Sequence, residues 1–223
     1  MQVTPKGIVE HAKILFKQKK YKLVEKLAYK YLEIKPEHNE LRLILAKSLY
    51  NEDSIYDAVK EALTILTRDE NDSDARLLLA KCYKKVNQPT KAIAELQEVV
   101  KHNPDNISAA QELSSLYVET NQKASAIKTL KHLEGLTDNN GELLQIKTTL
   151  ANLYVEMENY PEAFDELNEI LEIYPEDTDT NKKLIELYIK VQNYESAIET
   201  CENLLAVNEN NSLSLWILNN LVN

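Results

Sequence analysis

The chain is poor in residues that break, bridge or bend a backbone. Only three glycines occur in 223 residues, Gly7, Gly135 and Gly141. None belongs to a GxGxxG or GxxxxGK[ST] motif, so a glycine-rich loop that cradles phosphate is excluded. The two cysteines, Cys82 and Cys201, lie far apart without CxxC spacing. The four histidines, His11, His38, His102 and His132, show neither HxxxH nor HExxH. A zinc site therefore has no ligand set, and neither a metal nor a cofactor is expected. Each cysteine falls at an inward-facing helix position and reads as a buried thiol in a reducing compartment. No apolar run approaches the ~20 residues that span a bilayer, and the opening MQVTPKGIVEHAK lacks the apolar core of a signal peptide. A cytoplasmic chain is the expectation. Asn71, Asn106 and Asn210 head N-x-S/T triplets, but they sit at junctions where Asn and Ser serve as turn and cap residues.

Cations are also scarce, and unevenly so. The formal charge is −10. Residues 1–50 carry eleven Lys/Arg against five Glu, a balance of +6, whereas residues 151–223 carry three Lys against fifteen Asp/Glu, a balance of −12. Phosphate backbones need dense Lys/Arg, so a general nucleic-acid binder is disfavoured. The gradient leaves room for an anionic partner at the amino-terminal end. Thirty-six carboxylates read as solvated helix faces, and no acid/base pair stands out among them. The chain is not expected to be an enzyme.

What the chain has in abundance is a period. Ala12, Ala46 and Ala80 are spaced by 34 residues, Ser114 continues the series, and after a slip of three it resumes at Ala151 and Ile185. A second series runs Val24, Ala58, Ala92, Ala126, Ala163 and Ala197, with the slip in the same place. Within Ser73–Asn106, Leu77, Leu78, Ala80 and Tyr83 recur at helical spacing until Asn87-Gln88-Pro89 breaks the chain. Pro89 suits a first helical position, where its missing N–H costs nothing. Ala92, Ile93, Leu96, Val99 and Val100 form a second stripe, ended by Asn103-Pro104-Asp105. Each unit is thus a helix, a tight turn, a helix and another turn. Ala80 and Ala92 mark the crossing, where a methyl group lets two backbones approach. One such hairpin has too little apolar surface to offset its ordering entropy, so it must stack on a neighbour.

This pattern resembles the tetratricopeptide repeat family. Leu79-Ala80, Tyr83, Ala92, Leu96 and Pro104 match the family's favoured positions, as do Leu150-Ala151, Tyr154, Tyr160, Ala163, Leu167 and Pro175. Departures are Val99, bulkier than usual, His11 and Ile185 at two first-helix positions, and units two, four and six without the proline. The resemblance implies an all-α, right-handed superhelical solenoid of antiparallel helix pairs, one domain over residues 1–223. Its units are 5–38, 39–72, 73–106, 107–140, 144–177 and 178–211, with 212–223 starting another first helix. The slip follows a loop between Gly135 and Gly141, and the next helix is expected about a turn early, at Glu142. The slip reads either as a neutral surface insertion or as a bend in the superhelix. Residues 212–223 form a very apolar stretch, with Leu213, Trp216 and Ile217 as a candidate assembly surface, since an end cap should present a polar face. The alternatives are continuation into further repeats, or a helix tucked onto unit six.

In the family, positions 2, 5, 6, 9, 12 and 13 of the first helices line the concave face. Here they nominate Val9, Lys13, Phe16, Leu43, Lys47, Tyr50, Leu77, Lys81 and Lys84 as partner-binding residues. Lysines beside aromatic and aliphatic side chains suit a protein or peptide with acidic and apolar residues. Changing Lys13, Lys47 and Lys81 together to Glu is expected to weaken binding without altering melting. The carboxylate clamp of co-chaperone members is absent, since its places hold Val9, Lys13, Ile44, Asp74 and Leu78. The asparagine ladder of some superhelical members is absent too. The expected function is a non-catalytic interaction scaffold. Its rivals are an RNA-binding helical repeat, disfavoured by the 34-residue period and the acidic second half, and self-assembly through the apolar last helix.

Overall fold

The computed structural model describes residues 5–207 and residue 215. It places twelve α-helices there: α1 Pro5–Lys17, α2 Tyr21–Leu32, α3 Asn39–Asn51, α4 Ile55–Leu66, α5 Ser73–Lys85, α6 Pro89–His102, α7 Ile107–Glu119, α8 Lys123–Glu134, α9 Asn140–Glu156, α10 Tyr160–Ile173, α11 Thr178–Lys190 and α12 Tyr194–Val207. Among the described residues there is no strand, and no helix is long and apolar enough to cross a membrane.

The chain divides into two compact units, Met1–Gln122 and Lys123–Asn223. In the first, each helix packs on the next from α1 to α7, and the odd-numbered helices α1, α3 and α5 also touch in succession. In the second, α8 to α12 pack in the same sequential manner. Such neighbour-only contacts are what helical pairs produce when each buries its apolar stripe against the adjoining pair.

The small-residue ladders sit where the helices meet. Ala12, Ala46, Ala80, Ser114, Ala151 and Ile185 are at most 5% exposed, and Val24, Ala58, Ala92, Ala126, Ala163 and Ala197 are fully buried. Cys82 and Cys201 are buried and form no disulfide. Burial pushes the Cys82 thiol up to about 11, which keeps it protonated and inert at neutral pH.

The tight turn within each helix pair is built by backbone geometry. Lys19, Asp53, Asn87, Asn121, Glu158 and Gln192 all adopt a left-handed φ of 56° to 64°. The residue after each donates its N–H to the carbonyl five positions back, as in Gln88 to Tyr83 at 2.8 Å and Asn159 to Tyr154 at 2.9 Å. These are Schellman closures, which satisfy the last carbonyls of a helix and reverse the chain within three residues. The opposite turns end in side-chain caps. Asp72, Asn106 and Asp177 accept from the backbone N–H of Ala75, Ala109 and Thr180 at 2.8, 3.0 and 2.8 Å. Asn106 is therefore a cap, as its place in the repeat implied.

At the slip, α9 starts at Asn140, two residues ahead of the expected Glu142. The reason is Asn139, whose side chain accepts from both Gly141 N–H (2.9 Å) and Glu142 N–H (3.1 Å). Capping fixes a helix start more firmly than the apolar pattern does, because the first-turn N–H groups need partners.

Candidate functional site

The nominated residues lie on α1, α3 and α5 and do not all behave alike. Phe16, Lys47, Tyr50, Leu77 and Lys81 line one recess of about 270 Å³, together with Asp74 on α5. Phe16, Leu43 and Tyr50 are half-buried against the core of the first unit. Val9 is different. At 3% exposure it belongs to that core, so a partner in the groove would not touch it directly. Val9 turns toward the packed side of α1, where apolar area is removed from water.

The lysines are exposed, yet each already has an anion beside it. Lys13 pairs with Glu40 at 2.8 Å and with Glu10 at 3.4 Å, Lys47 with Asp74 at 3.1 Å, and Lys81 with Glu112 at 3.4 Å. Lys84 meets Glu119 at 2.9 Å. Except for Glu10, each acid comes from the first helix of the following pair. A hydrogen bond from Lys13 to Glu40 is the largest cause of its raised pKa. The groove edge is therefore a series of cross-repeat ion pairs and not a bare cationic rail. Position 9 carries the lysine and position 2 or 6 of the next unit the carboxylate, a spacing of 27 or 31 residues that was visible in the sequence. Above Tyr50, the Lys85 ammonium lies 5.0 Å from the ring centroid, which holds one face of that aromatic.

The second unit has a recess of its own, about 420 Å³, on α9 and α11. Lys183 donates to Asn152 Oδ1 at 2.7 Å across it. Val155, Glu186 and Lys190 complete its polar and apolar lining, and Lys190 rests over the Tyr160 ring at 5.4 Å. These positions repeat those of the first recess, but no aromatic residue lines it and its residues were not nominated.

Sequence reasoning also missed a set of buried charges. Arg42 is hydrogen-bonded to Glu61 and donates to the Pro36 carbonyl at 2.6 Å. Thirty-four residues on, Arg76 pairs with Glu95 at 2.6 Å and donates to the Glu70 carbonyl at 3.0 Å. The pair recurs after the slip as Lys147 and Glu166, 3.5 Å apart and at most 3% exposed. A recurring Arg/Lys and Glu at positions 4 and 23 was the available signal. Lys147 also binds Glu134 and Glu169, while Lys131 reaches Glu166 at 2.5 Å and Glu134 at 3.0 Å. Burial alone would raise the Glu134 carboxyl, but hydrogen bonds from Lys147 and Lys131 outweigh it and hold the group below its ordinary value. The same carboxylates hold both lysines above theirs, against burial.

Carboxylate oxygens of Glu134, Glu166 and Glu169 lie within 4.8 Å of one another, a spacing that could hold a cation. Two ammonium groups already lie against these carboxylates, so the chain supplies its own countercharge. The candidate assembly-surface residues Leu213, Trp216 and Ile217 lie outside the described residues.

No curated protein matches the chain. Solved structures do. YrrB, a TPR protein with an unusual peptide-binding site, superposes at a TM-score of 0.63 with 16% identity, covering 84% of this chain and 95% of YrrB. MamA from Desulfovibrio magneticus RS-1 gives 0.62 and 16%, covering 78% and 96%. A tetratricopeptide repeat protein from Parabacteroides merdae gives 0.63 and 14%, covering 90% and 78%. At these identities the likeness carries the fold class alone, an all-α superhelical solenoid of antiparallel helix pairs. The sequence profile of the tetratricopeptide repeat matches residues 53–113, 85–153 and 154–215. With that profile laid over helix pairs whose ladders and turns keep the 34-residue interval, the chain belongs to the tetratricopeptide repeat family.

Proposed function

We propose that the protein is a non-catalytic scaffold that docks an extended segment of a partner protein along α1, α3 and α5. The observation that carries this reading is the first recess. Phe16, Tyr50 and Leu77 keep part of their apolar surface toward solvent there, between lysines held in place by Asp74 and Glu112. Burying such side chains contributes about 25 cal/mol per Å², so apolar anchors would supply most of the affinity. Acidic partner residues would share or exchange lysines that are already paired, which sets register more than it adds binding energy. YrrB, with the same fold class and a peptide-binding site, supports a peptide as the occupant. The second recess, on α9 and α11, offers another site for the same kind of ligand. A cytosolic setting agrees with two buried thiols outside any disulfide.

The ion pairs change how the groove should be tested. Placing Glu at 13, 47 and 81 would set like charges opposite Glu40, Asp74 and Glu112, so melting would shift along with binding. Apolar truncation is cleaner. Tyr50→Ser with Leu77→Ser should remove most of the proteins captured from a native lysate while helicity is retained, and Lys47→Gln with Lys81→Gln should remove fewer. Capture of the same proteins in the same amounts by the serine variant would discard the groove as the docking site.

A further inference from the structure

Two exposed helix faces carry opposite charge, most of it outside any ion pair among the described residues, and neither belongs to the groove. On α10, Glu162, Asp165, Glu169 and Glu172 follow one another at intervals of three, four and three, all exposed. That spacing places them on a single face. Glu169 is bound by Lys147; Glu162, Asp165 and Glu172 form no ion pair among the described residues. α10 contains no Lys or Arg. Neither does α12, where Glu195, Glu199 and Glu202 continue the same sign. In the first unit, α2 shows the converse. Lys22, Lys26 and Lys30 are exposed at intervals of four, preceded by Lys19 and Lys20. Lys22 is held by Glu25 and Glu52. The other four lysines form no ion pair among the described residues.

We propose that the α10 face of one copy docks on the α2 face of a second copy of this chain. The stripes match in length, about 15 Å from residue 162 to 172 and about 12 Å from 22 to 30 at 1.5 Å per residue. Both also carry exposed apolar side chains, Leu23 and Tyr29 on α2 and Ile173 on α10, so a mated pair would bury apolar area as well as neutralise charge. The two faces are different patches, which makes the contact heterologous. Each copy bears −10 overall, so copies repel at long range and the patches attract only within about a Debye length, ~8 Å at physiological salt.

Sedimentation equilibrium of the full chain tests this. In ~0.05 M salt the wild type should exceed its monomer mass of 25.6 kDa, and association should weaken at least ~10-fold in ~0.5 M salt as screening grows. Two variants separate the faces: Glu162→Lys/Asp165→Lys/Glu172→Lys on α10, and Lys26→Glu/Lys30→Glu on α2. Each alone should sediment as a monomer at low salt, and an equimolar mixture should associate again, because it restores the native pairing and adds its charge-reversed counterpart. Recovery in the mixture also shows that both variants are folded. A monomeric wild type at low salt overturns the proposal, as does a mixture that stays monomeric. Association that persists in both variants or strengthens with salt also overturns it, and places the contact on the apolar Leu213, Trp216 and Ile217 stretch.

Discussion

Lys19, Asp53, Asn87, Asn121, Glu158 and Gln192 range from an ammonium to carboxylates and amides, yet all hold the same left-handed backbone. None is glycine, the residue that occupies this conformation without penalty. The turn is imposed by the helices on either side, which must reverse within three residues for the small-residue ladders to meet. The local cost is offset by that packing and by the two Schellman hydrogen bonds. Gln192 is exposed and its side chain forms no hydrogen bond among the described residues. Gln192→Val should cost ~1 kcal/mol, because a β-branched side chain fits the left-handed region worst. Gln192→Gly should be neutral or slightly stabilising, since relief of strain is partly cancelled by a more flexible unfolded chain. Urea unfolding midpoints of the two variants check the order, and a valine variant as stable as wild type would show that the turn is not under strain.

At the level of the helix pair, the Arg42–Glu61 contact has a built-in comparison. The same two positions of the first repeat hold Ile8 and Leu27, both part of the first unit's apolar core. One architecture thus accepts either an ion pair or two aliphatic residues at this place. A buried pair gains little over well-packed apolar groups, because both charges must be stripped of water. The ion pair is also incompletely satisfied, as Arg42 Nε has no hydrogen-bond partner. Arg42→Ile alone leaves the Glu61 carboxylate buried and unpaired and should cost ~3–5 kcal/mol. Adding Glu61→Leu should recover most of that loss and could exceed wild-type stability. A double-mutant cycle read by urea denaturation measures it, and equal losses in the single and double variants would refute the equivalence.

Across the whole molecule, charge is segregated, and only the second unit contains a buried multi-charge cluster, as far as the described residues go. Glu134 is held below its ordinary carboxyl value by Lys147 and Lys131. A carboxyl with a depressed folded-state pKa stabilises the fold above its unfolded value of ~4.3. That contribution fades as pH falls through the lower, folded-state value. Acidification below the ordinary carboxyl range should therefore destabilise the unit Lys123–Asn223. Glu134→Gln should be less stable than wild type at neutral pH and show a flatter loss on acidification. Thermal melts across the acid range provide the measurement, and parallel pH profiles for the two proteins would remove Glu134 from the account. Lys131 and Lys147, whose values are raised, act in the other direction. Their stabilisation is complete below the unfolded lysine value and is lost only in strong alkali.

The interval of 34, the helix pairs and the buried alanines were legible in the residues themselves, because a crossing tolerates nothing larger and every unit repeats the requirement. The slip was legible too, though Asn139 as a cap moved the start of α9 by two residues. Partner positions were legible only as places on a helix. Whether Val9 faces a core or a groove, and whether Lys47 is bare or already held by Asp74, depends on which helix lies alongside. Linear order does not state those distances, since the partners are 27 to 35 residues apart along the chain. Charge cancellation and burial are properties of neighbours in space, and they emerged only once the rods were stacked.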